Sequence, residues 1–268
     1  MKIPAAEERL QRLTELLRAM ESALLAYSGG LDSTFLLMAL KLSGIRALAV
    51  TGLSPATPAP DLEDARRMAR SIGVEHRVVD TGEMDEPGFV ENSPERCYHC
   101  KDVLFGTLRA IAEEEGLAFV LDGTNLDDAS DLRPGMRAAE KHAVRSPLLE
   151  AGYTKDDIRE ASRELGLDTW LKPSSACLSS RIPYGTPITP GALAMVRQAE
   201  GALREMGFTA LRVRAHGPVA LIEVPEESME EALGAKDDIA ERLREAGFKF
   251  VGLDLEGLRS GSMNRLLE

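Results

Sequence analysis

Residues 26–37 read AYSGGLDSTFLL, and what they form decides the fold. ALLAY (23–27) has the length and apolarity of a buried strand, while residues 32–42 carry apolar side chains at helical spacing. Between the two stand Ser28, Gly29 and Gly30. A pair of glycines flanked by hydroxyls brings backbone N–H groups close to an anion, and the helix that follows adds its partial positive end. The stretch therefore reads as a phosphate-holding turn after the first strand of an α/β sheet. It lacks the lysine of G-x-x-x-x-G-K-[ST] and the three-glycine spacing of the dinucleotide fingerprint. An ordinary strand-to-helix turn capped by Asp32 is the plainer alternative.

The neighbouring sequence repeats the alternation. A leading helix (4–20) precedes strand 23–27. Strands are then expected at 45–52, 75–80 and 118–124, with helices at 61–72 and 94–115 between them. Strands separated by helices imply a parallel sheet covered on both faces. Beyond a helix at 155–165 the run KPSSACLSSRIPYGTPITP is loop-like, and the pattern then changes. A helix (192–206), two strands (210–216 and 219–224) turning at HGP, a helix (229–246) and a strand (248–255) read as a small α+β module. The expected division is 1–185 for the α/β domain and 186–268 for a small substrate or oligomerisation domain.

Composition narrows the function. Basic residues number 32 and acidic ones 44, a net charge of −12, which argues against a broad nucleic-acid or anionic-membrane surface. No apolar run approaches a bilayer span and no signal segment is evident, so the cytoplasm is expected. DGTNLDD (122–128) follows a later strand, at the sheet edge where open α/β folds bind ligands. Asp122, Asn125, Asp127 and Asp128 there fit a magnesium and nucleotide role, or simply an Asx-capped turn. Three cysteines complete the inventory: Cys97 and Cys100 in CYHC, and Cys177 alone in SSACLSSR. They admit a zinc site closed by a further ligand, a redox pair beside a core cysteine, three thiolates on a four-iron cluster, or a nucleophilic Cys177.

S-G-G-x-D-S after the first strand resembles the pyrophosphate-binding loop of the PP-loop ATP pyrophosphatases. Together with RCYHCK (96–101), DGTNLDDASDLRPGMRAA (122–139), VRSPL (144–148), KPSSACLSSRIPYGTPIT (172–189) and LRVRAHG (211–217), it is similar over nearly the whole chain to the LarE family. Those are ATP-dependent sulfur transferases that build the nickel-pincer cofactor of lactate racemase. The resemblance implies a PP-loop fold and a reaction on pyridinium-3,5-biscarboxylic acid mononucleotide, whose carboxylates are adenylated and converted to thiocarboxylates. It implies that Ser28, Gly29, Gly30 and Ser33 hold pyrophosphate, that Asp32 helps place magnesium, and that Gly123, Asn125, Asp127 and Asp128 complete the nucleotide site. With all three cysteines present, the chain is similar to members in which Cys97, Cys100 and Cys177 carry a 4Fe-4S cluster that takes sulfide from a donor. Other members sacrifice the cysteine matching Cys177, cleaving its own C–S bond to leave dehydroalanine. The resemblance also suggests a homo-oligomer.

Four basic side chains and one acid complete the expected site. Lys101 and Arg181, beside the cysteines, are expected to meet substrate carboxylate or the α-phosphate of ATP. Arg212 and Arg214 alternate on one strand and so share a face suited to an anion such as the substrate phosphate, with Glu223 on the paired strand orienting them. Rival functions are a PP-loop tRNA thiolase, an amidotransferase-type ligase and a non-catalytic iron–sulfur or nucleotide-binding protein.

Overall fold

The computed structural model describes residues 5–129, 134–172, 176–259 and 261–267. The chain divides into two compact units, residues 1–86 with 97–175, and residues 87–96 with 176–268. In chain order the elements are α1 (Ala5–Arg18), β1 (Ser22–Ala26), α2 (Leu31–Ser43), β2 (Arg46–Leu53), α3 (Ala59–Ile72), β3 (Glu75–Asp80), α4 (Pro87–Val90), α5 (Arg96–Glu114), β4 (Phe119–Leu121) and α6 (Leu126–Ala129). Then come α7 (Pro134–Lys141), α8 (Pro147–Glu150), α9 (Lys155–Glu164), α10 (Pro190–Glu205), β5 (Arg212–His216), β6 (Val219–Glu223), α11 (Met229–Gly234), α12 (Lys236–Glu245) and β7 (Phe250–Leu253).

In the first unit β1–β4 form one parallel sheet in the order β3-β2-β1-β4. Strand alternation divides its side chains between two cores. Ala23, Leu25, Ala49 and Leu121 join Leu13, Phe35, Leu36 and Met68 from α1, α2 and α3. Leu24, Leu48, Val50 and Val120 pack instead with Phe105, Leu108 and Ala138 from α5 and α7. Both faces are thus covered by helices, and β1 reads as a continuous apolar run because neither of its faces meets water. Each fully buried leucine contributes about 1.5–3 kcal/mol. The chain proceeds from β1 to β2 and β3 on one side, then returns to place β4 on the other side of β1. That reversal opens a crevice beyond the carboxyl ends of β1 and β4.

The second unit holds a three-stranded sheet in the order β5-β6-β7, with β5 antiparallel to β6 and β7 parallel to it. Gly217 and Pro218 make the two-residue turn between His216 and Val219. Helix α10 begins at Pro190 because the Thr189 hydroxyl accepts the Ala192 N–H, a capping bond that suits proline at the first position. Leu193, Val196 and Leu203 of α10, Leu243 of α12, and Val213 and Ile222 of the sheet are buried. The single helix expected over 229–246 is two, α11 and α12, meeting at Ala235. Residues 87–96 are held in this unit by Asn92, whose side-chain amide donates to the carbonyls of Ile182 (3.3 Å), Pro183 (2.8 Å) and Thr186 (2.8 Å). No helix among the described residues is long and apolar enough to cross a membrane.

Candidate active site

The crevice contains a cavity of about 390 Å³ lined by Ala26, Ser28, Gly30, Asp32, Ser33, Lys101, Phe105, Asp122, Gly123, Thr124, Asp128, Gly135 and Met136. Two sequence segments almost a hundred residues apart meet there because β1 and β4 are neighbours. Gly30 caps α2 with no side-chain hydrogen bond to the first turn, which leaves the start of that helix open to an anion. The hydroxyls of Ser28 and Ser33 lie 3.0 Å apart, and the Ser28 hydroxyl accepts the Gly30 N–H at 3.3 Å. Gly29 is required on two counts: its φ is +70°, and a Cβ would lie 2.7 Å from the Ala65 Cβ and 2.8 Å from its Cα. At Gly123 glycine is favoured by proximity alone, since a Cβ there would stand 3.1 Å from the Ser33 N and press on the start of α2.

Asp32, in the first turn of α2, accepts a hydrogen bond from the Asn125 side chain at 3.2 Å. Burial raises its pKa; Lys155 opposes that rise, Asp128 adds to it, and the Asn125 bond works against it. Asn125 is fully buried, and its side-chain oxygen accepts the N–H groups of Asp127 and Asp128, starting α6. Asp128 lines the cavity and pairs with Lys155 at 3.2 Å. The Asp127 carboxylate instead accepts the Lys155 backbone N–H at 2.7 Å, at the start of α9. Asp122 accepts bonds from Thr124 and from the Ser146 hydroxyl at 2.7 Å, tying the VRSPL segment to the end of β4. Lys101 stands 5.1 Å from the centre of the Phe105 ring, bringing a positive charge to the cavity.

Cys97 and Cys100 lie in the first turn of α5, three positions apart and so on one face, with Cys97 exposed and Cys100 half-buried. His99 between them turns to Glu86, its Nδ1 3.4 Å from that carboxylate. None of the three cysteines is in a disulfide. Among the described residues no group of three or more His, Cys, Asp or Glu side chains is arranged to hold a metal ion.

In the second unit Cys177 is exposed, its Sγ 2.9 Å from the Ser179 hydroxyl, at the start of a tight turn over Leu178–Arg181. Buried arginines bind the carbonyls of that turn. Arg181 donates to Ala176 at 2.9 Å, Arg214 to Ser180 at 2.8 Å and Arg96 to Ser179 at 3.1 Å. Arg181 is balanced by Glu200 at 2.8 Å, and Arg214 by two bonds to Glu223 at 2.9 and 2.8 Å. Arg212 and Arg214 differ in environment despite their alternation. Arg214 is 3% exposed and surrounded by acceptors, whereas Arg212 is half-buried and donates to the Arg259 carbonyl at 3.0 Å. Burial, followed by the charges of Arg214 and Arg181, lowers the Arg212 pKa. Arg96 was not singled out by sequence; its place at the start of a helix gives no hint of the carbonyl it meets 83 residues later.

No family model matches the chain. It is 41% identical over 264 residues to an uncharacterized protein of Synechocystis, covering 97% of this chain and 98% of that one. It is 37% identical over 257 residues to the pyridinium-3,5-bisthiocarboxylic acid mononucleotide synthase of Lactiplantibacillus plantarum, covering 95% and 93%. A more distant likeness, 26% identity over 58% of this chain and 53% of the other, is to the tRNA-specific 2-thiouridylase MnmA of Thermus thermophilus. The parallel sheet with helices on both faces is the α/β fold of the PP-loop proteins. With more than a third of its residues matching those of the synthase over nearly the full length of both proteins, the chain belongs to the LarE family.

Proposed function

We propose that the chain uses ATP to adenylate the carboxylates of pyridinium-3,5-biscarboxylic acid mononucleotide and then replaces AMP with sulfur. The product named in the Lactiplantibacillus relative supports the substrate, and the cavity at the ends of β1 and β4 carries the ATP half of the reading. A substrate carboxylate oxygen attacks the α-phosphorus; that O–P bond forms as the bond to the bridging oxygen breaks and pyrophosphate departs. Sulfur then attacks the acyl carbon, the C–S bond forms, the C–O bond breaks and AMP leaves.

Ser28, Gly29, Gly30 and Ser33 receive the pyrophosphate, with the open start of α2 adding its partial charge. Lys101 offsets charge on the α-phosphate, and Gly123 admits the close approach of the β4 loop. Asn125 orients Asp32, while Asp127 acts one step back, fixing α9. The oxygen donors of Asp32 and Asp128 fit magnesium, which when bound neutralises phosphate charge. Arg212 is the cation assigned to the substrate phosphate; Arg181, and Arg214 with Glu223, hold the Cys177 turn.

The thiols fit a 4Fe-4S cluster in kind, being three soft donors outside disulfides with two of them one helical turn apart. Cys97, Cys100 and Cys177 would hold it, and when bound it supplies an iron able to take up sulfide. The exposure of Cys177 on a braced turn favours a second reading, in which its thiolate attacks the acyl adenylate and expels AMP; loss of the Cys177 Cα proton to water then breaks the Cβ–S bond, leaving dehydroalanine in the chain and the sulfur on the substrate as a thiocarboxylate. We also assign a sulfide donor, a homo-oligomeric state and a cytoplasmic setting to the cluster reading. Anaerobic reconstitution followed by turnover with ATP, magnesium and the pyridinium substrate decides between the two. About four irons per chain, lost in Cys97→Ala, with several sulfurs transferred when sulfide is supplied, supports the cluster. A mass loss at Cys177 with at most one sulfur per chain supports the sacrificial thiol, and absence of pyrophosphate release refutes both.

A further inference from the structure

Lys172 lies outside the cavity lining, yet its ammonium reaches the glycine loop. Its Nζ is 3.0 Å from Asp61 Oδ1 and 3.0 Å from Asp64 Oδ2, both on α3, and 3.4 Å from the carbonyl oxygen of Gly29. The side chain is 18% exposed. Two carboxylates and one carbonyl thus surround the ammonium, and the one hydrogen bond it gives to the glycine loop is to the Gly29 carbonyl. Lys172 therefore acts on the cavity through the loop it touches.

The geometry of a peptide unit says how. In a trans peptide the C=O and the following N–H point in opposite directions. With the Gly29 carbonyl drawn to Lys172, the Gly30 N–H points the other way, where it meets the Ser28 hydroxyl at 3.3 Å; Ser28 and Gly30 both line the cavity. Gly29, at φ +70° and without a Cβ, has more rotational freedom than any other residue type, so nothing in its own side chain fixes that peptide. The anchor on the far side is firm. Burial pushes the Asp64 carboxyl up, but hydrogen bonds from Arg67 and Lys172 outweigh it and hold the pKa below the ordinary carboxylate range.

We propose that Lys172 is a positioning residue for pyrophosphate binding: it ties the Gly29 carbonyl to α3 and so keeps the Gly30 N–H turned toward the cavity. The inference rests on the reading that the cavity receives pyrophosphate. It also gives a role to the first residue of KPSSACLSSR that the cysteine chemistry does not require.

The test measures binding of magnesium pyrophosphate by calorimetry to the full chain and to Lys172→Met, Lys172→Arg and the double variant Asp61→Asn, Asp64→Asn. Lys172→Met is expected to bind about tenfold more weakly, the worth of one well-placed charge-assisted hydrogen bond. Lys172→Arg should recover most of the loss, and the amide resonance of Gly30 should move in Lys172→Met and return in Lys172→Arg. The double variant frees the ammonium from its anchor. Positioning predicts that it too binds more weakly, whereas a lysine that contacted pyrophosphate directly would bind it more tightly once freed. Tighter binding by the double variant, or Lys172→Met binding within twofold of the unaltered chain, overturns the proposal. Should Lys172→Met fail to fold, Lys172→Gln is held to the same criterion. If the unaltered chain binds no pyrophosphate, the reading of the cavity itself fails.

Discussion

Replacing Arg214 by methionine separates the two tasks of that side chain. Its guanidinium is 3% exposed and gives two bonds to Glu223, itself 2% exposed, one to the Ser180 carbonyl and one to the Ser262 hydroxyl. Methionine keeps the apolar stem and removes every donor, leaving the Glu223 carboxylate buried with the Ser262 hydroxyl, which donates to it at 2.9 Å. Breaking a buried pair from one side costs about 3–5 kcal/mol, a factor on the order of 10² to 10⁴ in the folded population of the second unit. Urea unfolding followed by circular dichroism measures it. The double variant Arg214→Met, Glu223→Met removes both charges, so stability should return to within about 1 kcal/mol of the unaltered protein. Sulfur transfer should not return, because the Ser180 carbonyl still lacks its donor and the Cys177 turn has lost one of its arginines. Two results refute the reasoning: a single variant that costs under about 1 kcal/mol, or a double variant that recovers sulfur transfer along with stability.

Two further substitutions address the first unit. Gly29→Ala forces a Cβ against the Ala65 backbone at a positive φ; we expect about 1–3 kcal/mol of lost stability and loss of pyrophosphate binding, and normal binding would show that the loop moves freely. Asp32→Asn should lower pyrophosphate release by at least about a hundredfold while raising the melting temperature. The sign follows from the raised pKa of Asp32: the folded chain holds that proton more tightly than the unfolded one, so this group's contribution is greatest below the unfolded carboxylate pKa and is lost as pH rises through the folded value. The stability gain of the variant should accordingly shrink in acid, and a gain independent of pH would assign it to another cause.

The α/β alternation was legible because β1, β2 and β4 are apolar on both faces and the helices between them carry their own period. The glycine loop was legible because its positive φ favours glycine, whereas the crowding against Ala65 on α3, which also demands glycine at residue 29, has no local signature. Partners distant in sequence were not. Strand alternation puts Arg212 and Arg214 on one face, but only the diagonal reach of Glu223, registered opposite Arg212, assigns it to Arg214. Asp127 and Asp128 are adjacent letters that meet opposite ends of Lys155, Asp127 its backbone N–H and Asp128 its ammonium. Lys172 and Arg96 act on carbonyls 143 and 83 residues away, and no local pattern encodes a carbonyl acceptor.

The placement of residues 87–96 in the second unit bears on synthesis. Asn92 leaves the ribosome about ninety residues before its acceptors at Ile182, Pro183 and Thr186. At roughly 5–20 residues per second that interval is about 5–18 s. During it the early segment has none of those acceptors, while most of the parallel sheet's own strands are already available to pair. The second unit is thus divided in time as well as in sequence, and its closure is tied to completion of the chain's last third.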